Sequence, residues 1–293
     1  MIRLGTRRSA LAMAQARLVA EALGGEVQLV PIETSGDRPS GERSDKSRFV
    51  KEIEEALLAG DVDLAVHSAK DVPSGLPPGL AIVGVPRRAD PRDALCGAGS
   101  LAELDEGAGV GTSSLRRRAQ LLALRPDLDV RELRGNVDTR LRRLADGDFA
   151  AVVLAQAGLD RLGRSGDGAL LGELVPAPGQ GCLALEARFD DERTAAAAAK
   201  LTDRAAATSL TAERALVGAL EATCRTPIGA HAEPSDGALR LTAFAGMPDG
   251  SHWIRDVLEG DPAEPAALGR AVAERLAAAG AHELLEAAER AAA

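Results

Sequence analysis

Short apolar segments alternate with amphipathic helical patterns from the start of the chain. The apolar segments lie at residues 2–5, 27–32, 62–66 and 80–85. Helices are predicted between them, from about Ser9 and from about Ser47. Because strand, helix and strand in succession form βαβ units, this pattern predicts a largely parallel sheet covered by helices.

The same rhythm restarts after residues 87–91, a charged segment broken by proline that is a candidate hinge. Beyond it the sequence predicts a strand at 109–111, a helix from about Ser113, a strand at 130–133, a helix from Val137 and a strand at 151–154. The restart indicates a second α/β domain.

A second breaker segment, PAPGQG at 176–181, precedes an apolar strand at 183–187 that has no local partner and is expected to return to the first sheet. An alanine-rich helix near 195–201, a helix to about Leu220, strands at 239–245 and 254–258 and a final amphipathic helix follow. These elements suggest a small α+β domain. The predicted division is residues 1–86 with 182–200, residues 92–176, and residues 204–293.

The length, composition and net charge of the chain narrow the classes of protein to which it can belong. With 293 residues, 45% of them hydrophobic, the chain can bury a core in each of two or three domains. A net charge of -9 and 2% aromatic residues argue against a nucleic-acid binder, which needs a positive field and stacking platforms. No apolar run approaches the roughly 20 residues that span a bilayer. No signal-like segment precedes the first strand, so a cytoplasmic protein without membrane contact is expected.

The three cysteines, Cys96, Cys182 and Cys224, are far apart and form no CxxC pair. Neither a disulfide framework nor a metal site is indicated. Taken alone, each is interpreted as an incidental small residue. A loop position is nevertheless unusual for Cys224, because unmodified cysteine prefers burial.

Positive charge is carried mainly by arginine, since lysine occurs only at Lys46, Lys51, Lys70 and Lys200. The planar guanidinium group suits bidentate binding of carboxylates. Candidate arginines stand where predicted strands turn into helices, which is where ligands collect in open parallel sheets. They are Arg7, Arg116, Arg117, Arg134, Arg140 and Arg161. For the turn after the first strand, the alternative is a helix cap by Thr6 or Ser9 beside solvated arginines.

The glycine turn at 109–111 leads into a helix whose first turn carries Arg116 and Arg117. Two cations at that position oppose the helix dipole by about 0.3–1 kcal/mol unless an anion compensates. A bound carboxylate would compensate. The alternative is a pair of exposed arginines on a basic helix.

Polar residues also follow the buried strand at 62–66. Lys70 and Asp71 precede Pro73, which prevents helix continuation and fixes an irregular bend. An aspartate there could act as an acid, a base or a stabiliser of a cation. The alternative is a Lys70–Asp71 pair that holds a loop in place, and His67 is interpreted as a structural histidine.

Seven segments together resemble the porphobilinogen deaminase family. They are TRRSALAMAQ (6–15), HSAKDVP (67–73), DPRDAL (90–95), GTSSLRR (111–117), LRGNVDTRL (133–141), PAPGQG (176–181) and CRTPIG (224–229). The resemblance runs nearly end to end, and the motifs are collectively specific in order and spacing.

The resemblance implies a transferase of tetrapyrrole and heme biosynthesis, a hydroxymethylbilane synthase. Such an enzyme joins four porphobilinogen molecules head to tail, with loss of ammonia each time, and releases hydroxymethylbilane by hydrolysis. The implied fold has two similar doubly wound α/β domains, like those of periplasmic binding proteins, around a cleft, plus a small C-terminal α+β domain. A monomer is expected. Each substrate carries an acetate and a propionate, so the growing chain needs many carboxylate contacts.

The same resemblance implies a dipyrromethane cofactor, made from substrate and attached to the sulfur of Cys224. It also implies that Asp71 is the catalytic carboxylate, which assists departure of the amino group and stabilises positive charge on the pyrrole nitrogen. Gln180 is expected beside the hinge, without a chemical role. The implied cofactor-binding residues are Ser68, Lys70, Ser114, Arg116, Arg117, Arg134 and Arg140. The implied substrate-binding residues are Arg7, Ser9, Lys46 and Arg161.

The chain departs from the family pattern in two places. The segment at 44–49 keeps Lys46 and Phe49 but lacks the usual glycines of a lid, and Glu42 stands where a second lysine is common. Ala222 and Thr223 replace the paired glycines that often precede the cofactor cysteine. A rival hypothesis is a non-catalytic, two-lobed protein that binds a carboxylate ligand. Such a protein needs neither a cofactor cysteine nor an aspartate that repels its ligand.

Overall fold

The computed structural model describes residues 1–37, 49–222 and 226–291. In these ranges the strands are β1 (Ile2–Arg7), β2 (Val27–Ile32), β3 (Leu64–Ser68), β4 (Leu80–Gly84), β5 (Asp93–Cys96), β6 (Gly109–Gly111), β7 (Asp129–Arg131), β8 (Ala151–Ala155), β9 (Ala169–Leu171), β10 (Leu183–Arg188), β11 (Ile228–Ser235), β12 (Ala238–Gly246) and β13 (Trp253–Gly260). The helices are α1 (Ala10–Leu23), α2 (Lys51–Ala59), α3 (Leu115–Leu124), α4 (Val137–Ala145), α5 (Gln156–Arg161), α6 (Glu192–Ala199), α7 (Arg204–Ala219), α8 (Pro265–Ala278) and α9 (Ala281–Ala291). No helix in the described ranges is long and apolar enough to cross a membrane.

The first sheet has the strand order β2-β1-β3-β10-β4. Strands β1, β2 and β3 are parallel, and β10 lies antiparallel between β3 and β4. The predicted return of the strand at 183–187 to the first sheet is therefore confirmed. Its core includes Leu4, Leu64 and Leu185, all fully buried.

The second sheet repeats this arrangement in the order β7-β6-β8-β5-β9. Strands β6, β7 and β8 are parallel, and β5 lies antiparallel between β8 and β9. The sequence pattern does not predict β5 or β9, because strands of four and three residues give too little periodicity to recognise. The expectation of two doubly wound α/β units is confirmed.

Each five-stranded sheet thus contains one antiparallel strand, and the chain enters that strand directly after leaving the other sheet. Strand β5 follows directly after the first sheet, and β10 follows directly after β9 of the second. The first crossing, residues 85–92, and the second crossing, residues 172–182, connect the two sheets. They lie side by side, since the amide of Ala89 donates to the carbonyl of Gly181 at 3.2 Å. Gly181 has φ +88°, and a Cβ on this residue would lie 2.4 Å from the carbonyl oxygen of Ala89. Only glycine fits this close approach.

The third sheet is an antiparallel meander in the order β11-β12-β13. Helices α7 and α8 pack on it around a core that includes Leu216, Leu241 and Val272. Strand β11 is missed by the sequence analysis because Gly229 and Pro234 make it resemble a loop. The division into residues 1–86 with 182–200, 92–176 and 204–293 stays a prediction, which the strand membership of the sheets supports.

A buried polar cluster lies beneath the first sheet. His67 on β3 places Nε2 3.0 Å from a carboxylate oxygen of Glu186 on β10, as suits a structural histidine. Glu54 on α2 is 8% exposed, and its Oε1 is buried without a hydrogen-bond partner among the described residues. Burial, together with the charge of Glu186, raises the pKa of Glu54 from 4.5 to about 7.

Replacement of Glu54 by glutamine should make stability less dependent on pH. The folded state holds the Glu54 proton more tightly than the unfolded chain, so this contribution to stability is present below pH 4.5 and is lost as pH rises through about 7. Urea unfolding should therefore show Glu54→Gln gaining stability relative to the parent protein between pH 5 and pH 8. Glu55→Gln, on the exposed face of α2, is the matched control. A stability difference that is equal at both pH values would contradict the raised pKa.

Candidate functional site

A cleft of about 2090 Å³ opens between the two five-stranded sheets. Its lining includes residues that directly follow parallel strands of both sheets, among them Ala69 after β3 and Thr112 after β6. Sites for single small ligands usually measure about 300–1,000 Å³. The cleft therefore has room for several ligand units at once.

The cleft brings together every predicted site residue that the structure describes. These residues are Arg7, Ser9, Ser68, Lys70, Asp71, Ser114, Arg116, Arg117, Arg134, Arg140 and Arg161. Cys224 and Lys46 lie outside the described residues. Ala222 and Thr226, the nearest described residues on either side of Cys224, also line the cleft. The individual roles of these residues stay predictions.

Asp71 stands on a single turn of 3-10 helix, Ala69–Asp71, directly after β3. The amide of Val72 donates to the carbonyl of Ala69 at 3.2 Å, which closes the turn. The amide of Ala69 donates to the carbonyl of Cys182 at 3.0 Å, which ties the turn to the residue that precedes β10. The carboxyl group therefore extends from an anchored bend, as the sequence predicts.

Lys70, in the same turn, places Nζ 3.4 Å from Oε1 of Gln180. Burial and the charge of Arg117 lower the pKa of Lys70 to about 7, although Asp71 and Asp93 act in the opposite direction. An amine with this pKa gains a proton readily when another carboxylate approaches. Lys70 is therefore suited to bind an anionic ligand.

Asp93, the first residue of β5, is completely buried and accepts hydrogen bonds from two arginines and a glutamine. Arg116 donates at 2.7 Å, Arg117 donates through two nitrogens at 2.9 and 2.8 Å, and Gln180 donates at 2.8 Å. Burial acts to raise the pKa of Asp93, but the charges of Arg116 and Arg117 outweigh it and hold the pKa far below its usual range. Asp93 is therefore a permanent negative charge behind the arginines and the glutamine that line the cleft.

This network changes the interpretation of the arginine pair. Arg116 and Arg117 lie in the first turn of α3, where they suggested an external carboxylate, but Asp93 supplies a carboxylate from within the protein. The alternative of exposed arginines is wrong, because the two residues are 4% and 5% exposed. One donor is left over: Nε of Arg116 is buried without a hydrogen-bond partner among the described residues.

Two further guanidinium groups lie partly buried on helices α4 and α5, in the second lobe, which is the unit built on the second five-stranded sheet. Arg140 donates to the carbonyl of Gly135 at 2.8 Å, and burial, with the charge of Arg117, lowers its pKa to about 10. Arg161 donates to the carbonyl of Gly181 at 2.7 Å, and burial lowers its pKa as well. Neither is within salt-bridge distance of a carboxylate in the described part of the chain. Both therefore retain the capacity to bind an anion.

The two remaining predicted arginines, Arg134 and Arg7, have other surroundings. Arg134 is half exposed and forms an ion pair with Glu132 at 2.8 Å. The guanidinium carbon of Arg7 lies 4.2 Å from the centre of the Phe49 ring. Arg134 can exchange its exposed partner for a ligand at lower cost than the buried pair on α3.

The three predicted hydroxyl groups all have structural partners. Ser9 caps α1 by accepting from the amide of Ala12, which is the alternative considered for this turn. Ser114 caps α3 in the same way. Ser68 accepts a hydrogen bond from the side-chain nitrogen of Gln15 at 2.9 Å and donates to the oxygen of the same amide at 3.3 Å. The hydroxyl groups of Ser9 and Ser114, which accept one hydrogen bond each, can still donate another to a ligand.

The two described cysteines are poor nucleophiles. Cys96 and Cys182 are buried, and burial raises the pKa of their thiols to about 11 and about 12. Cys182 nevertheless lines the cleft. Because the thiolate is the reactive form, both are inert near neutral pH.

Four residues that organise the site are not predicted from the sequence as part of it. Asp93 is not assigned a role by its motif. Gln180, expected beside the hinge without a chemical role, connects Lys70 with Asp93 through its amide. Glu213 and Arg214 were overlooked because they lie on α7, far along the chain from the turns they contact. A signal existed for Glu213, since this charged residue occupies the buried stripe of α7 formed by Ala206, Ser209, Leu210, Ala212 and Leu216.

Comparisons with known families and proteins match the chain over most of its length. A family model described as "Porphobilinogen deaminase, dipyromethane cofactor binding domain" matches residues 2–196. A second, "Porphobilinogen deaminase, C-terminal domain", matches residues 207–278. The porphobilinogen deaminase of Roseiflexus sp. (strain RS-1) is 48% identical, with 96% of this chain and 97% of the relative covered. That of Deinococcus radiodurans is 46% identical, with 98% of each covered.

Solved structures with similar folds are more distant. A nutrient binding protein from Burkholderia cenocepacia bound to methionine is 16% identical and covers 66% of this chain and 88% of its own, with a TM-score of 0.41. The periplasmic VFT2 domain of Bordetella pertussis BvgS is 17% identical and covers 67% and 84%, with a TM-score of 0.38. These scores are too low to bear on function.

Removal of the Asp93 charge should destabilise the protein strongly. Asp93→Asn leaves two buried guanidinium groups without their carboxylate, which typically costs about 3–5 kcal/mol. Urea unfolding should show a loss of this size. Glu259→Gln, which breaks the exposed pair with Arg240, should cost at most about 1 kcal/mol. Equal losses in the two variants would contradict the importance assigned to Asp93.

The lowered pKa of Lys70 predicts an unusual pH profile of acetylation. The uncharged amine is the reactive form, so the rate at Lys70 should rise through a midpoint near pH 7 and then level off. Peptide mass spectrometry can measure this in the Cys224→Ser variant, with the exposed Lys51 as an internal reference. A midpoint for Lys70 near 10, the ordinary value for lysine, would contradict the prediction.

Proposed function

The chain belongs to the porphobilinogen deaminase family, and we propose on this premise that it is a hydroxymethylbilane synthase whose Asp71 performs the chemistry. The enzyme is a transferase of tetrapyrrole biosynthesis. It condenses four porphobilinogen molecules head to tail, with loss of ammonia at each addition, and releases hydroxymethylbilane by hydrolysis.

One observation carries the assignment of Asp71: an anchored carboxyl group lines a cleft that is otherwise rich in guanidinium groups. A cleft that served only to bind carboxylates would gain nothing from this negative charge. A reaction that develops positive charge on a pyrrole ring, by contrast, is stabilised by a fixed carboxylate. The hypothesis of a simple carboxylate binder is therefore not favoured, in agreement with the family.

Each porphobilinogen carries two carboxylates, so the tetrapyrrole product carries eight. The partly buried Arg140 and Arg161 supply cationic groups that no described carboxylate neutralises. Arg7, Ser9 and Lys46 are further proposed to bind the incoming substrate. The volume of the cleft, about 2090 Å³, suits a chain of several rings better than one pyrrole.

The residues present in the cleft fit the dipyrromethane cofactor of the family. The buried Nε of Arg116 lacks a partner among the described residues, which leaves a donor for an additional anion. We assign the cofactor carboxylates to Ser68, Lys70, Ser114, Arg116, Arg117, Arg134 and Arg140, and the covalent attachment to Cys224. When bound, the cofactor supplies the free pyrrole carbon to which the first substrate is joined.

Asp71 has two tasks in this proposal. Its carboxyl group assists protonation and departure of the substrate amino group as ammonia. The carboxylate then stabilises the cation that remains on the substrate pyrrole and lowers the barrier to carbon–carbon bond formation. The attacking pyrrole carbon loses its proton as the new bond forms, which balances the proton that left with ammonia. Lys70 balances the charge of the incoming carboxylates beside it. The cytoplasmic location and the monomeric state stay predictions.

Two substitutions separate the attachment of the cofactor from the chemistry. Cys224→Ser should yield protein with the mass of the unmodified chain and no activity, because the attachment point is gone. Asp71→Asn should carry added pyrrole mass but form product at least about 100-fold more slowly, since general acid–base catalysis alone contributes about 10²–10⁴-fold. Intact mass spectrometry and the colour test for free α-pyrroles measure the two effects.

Cys182→Ala is the matched control, because Cys182 also lines the cleft but its thiol is buried. It should keep both the cofactor mass and the activity. Cofactor mass on Cys224→Ser would assign the attachment to another residue. Ordinary turnover by Asp71→Asn would remove Asp71 from the mechanism.

A further inference from the structure

Arg214, on α7 of the C-terminal unit, holds the chain segment that follows Asp71. Its guanidinium group donates to the carbonyls of Val72, Pro73 and Ser74 at 3.3, 2.8 and 2.9 Å. Three successive main-chain carbonyls bound by one side chain leave this segment little freedom relative to α7. Burial of the guanidinium group raises the cost of losing these acceptors.

The neighbouring residue of α7, Glu213, holds the other side of the same turn. Its completely buried carboxylate accepts from the amide of Gly179 at 2.6 Å. Gly179 packs against the turn so closely that a Cβ on it would lie 3.0 Å from the amide nitrogen of Lys70. Two adjacent residues of one helix thus act on the two flanks of the turn that carries Asp71.

Glu213 also connects this contact to the elements around the proposed attachment point. It accepts from the amide of Ala232 on β11 at 2.8 Å and pairs with Arg88 of the first crossing at 2.6 Å. Helix α7 ends five positions before Cys224, and β11 begins four positions after it. The elements on both sides of the cysteine are therefore joined to the Asp71 turn through α7.

We propose that Arg214 is a positioning residue that fixes the Asp71 turn against α7, so that the carboxyl group keeps one place relative to the chain segment containing Cys224. The proposal rests on the function assigned above to Asp71 and Cys224. A chain that grows from one anchored end must be extended by a carboxyl group at a defined distance from that end. Errors of about 1 Å in such placement cost up to about 100-fold in rate.

Arg214 also lines the cleft, so a direct contact with a substrate carboxylate is the competing explanation. The two explanations predict different kinetics. Loss of a substrate contact raises KM, whereas loss of positioning lowers kcat while KM is largely kept. Three carbonyl acceptors already occupy Arg214, which favours positioning.

The experiment compares Arg214→Gln and Arg214→Lys with Arg188→Gln in the complete enzyme. Arg188 is the matched control because it also donates to main-chain carbonyls, those of Leu57 and Val62. It is the last residue of β10, whereas the Asp71 turn lies beside the first residue of that strand. Steady-state kinetics with porphobilinogen would give kcat and KM. Hydrogen exchange followed by mass spectrometry would report the mobility of residues 69–76.

For Arg214→Gln we expect kcat to fall about 10- to 100-fold with KM within about threefold of the parent value. Exchange at residues 69–76 should become faster. Arg214→Lys keeps the charge but loses the planar guanidinium group. Its kcat and its exchange rate at residues 69–76 should lie between those of Arg214→Gln and the parent enzyme. Arg188→Gln should leave kcat and exchange at 69–76 unchanged.

An unchanged kcat, or a raised KM with unchanged exchange, would overturn the proposal and assign Arg214 to ligand binding or to structure alone. If Arg214→Gln does not fold, Arg214→Lys decides, and parental kcat and exchange in that variant would overturn the proposal. The Asp71→Asn variant distinguishes a failure of the positioning role of Arg214 from a failure of the function assigned to Asp71. An inactive Asp71→Asn beside a fully active Arg214→Gln would refute positioning only, whereas an active Asp71→Asn would refute the function assigned to Asp71.

Discussion

The repulsion between like charges is the constraint on which this structure depends. A cleft that binds polycarboxylates needs several cations close together, and cations partly removed from water repel each other strongly. The protein meets this constraint with one buried anion, Asp93, and with main-chain carbonyls that accept from Arg140 and Arg161. Since these partners are fixed by the fold, the cationic groups are in place before a ligand arrives.

The two crossings of the chain between the five-stranded sheets hold these partners in fixed positions. Asp93 begins the strand that enters the second sheet, and Gln180 lies just before the strand that returns to the first. The glutamine amide bonds to Asp93 on one side and to Lys70 on the other. The crossings are therefore part of the site as well as a connection between lobes.

Much of the fold and the composition of the cleft could be predicted from the sequence, because periodicity and strand-end turns are local signals. The arginines of the α3 and α4 turns and the bend at Asp71 were found in this way. The partners of those residues could not be found, since Asp93 is 23 residues before Arg116 and Arg214 is more than 140 residues after Val72. Local pattern carries no information about pairs at such separations. It therefore gave no sign of Asp93, the internal carboxylate that already pairs with Arg116 and Arg117.

The antiparallel strand β10 has a consequence for the synthesis of the chain. It occupies the place between β3 and β4, which are both complete some 100 residues earlier. While the ribosome makes the intervening residues of the second sheet, β3 presents an unpaired edge and β4 has no partner strand in the first sheet. Such unpaired strands invite association with other chains. The N-terminal lobe therefore cannot be completed co-translationally before residue 188 emerges, and a fragment that ends within the first crossing would be a poor candidate for independent expression.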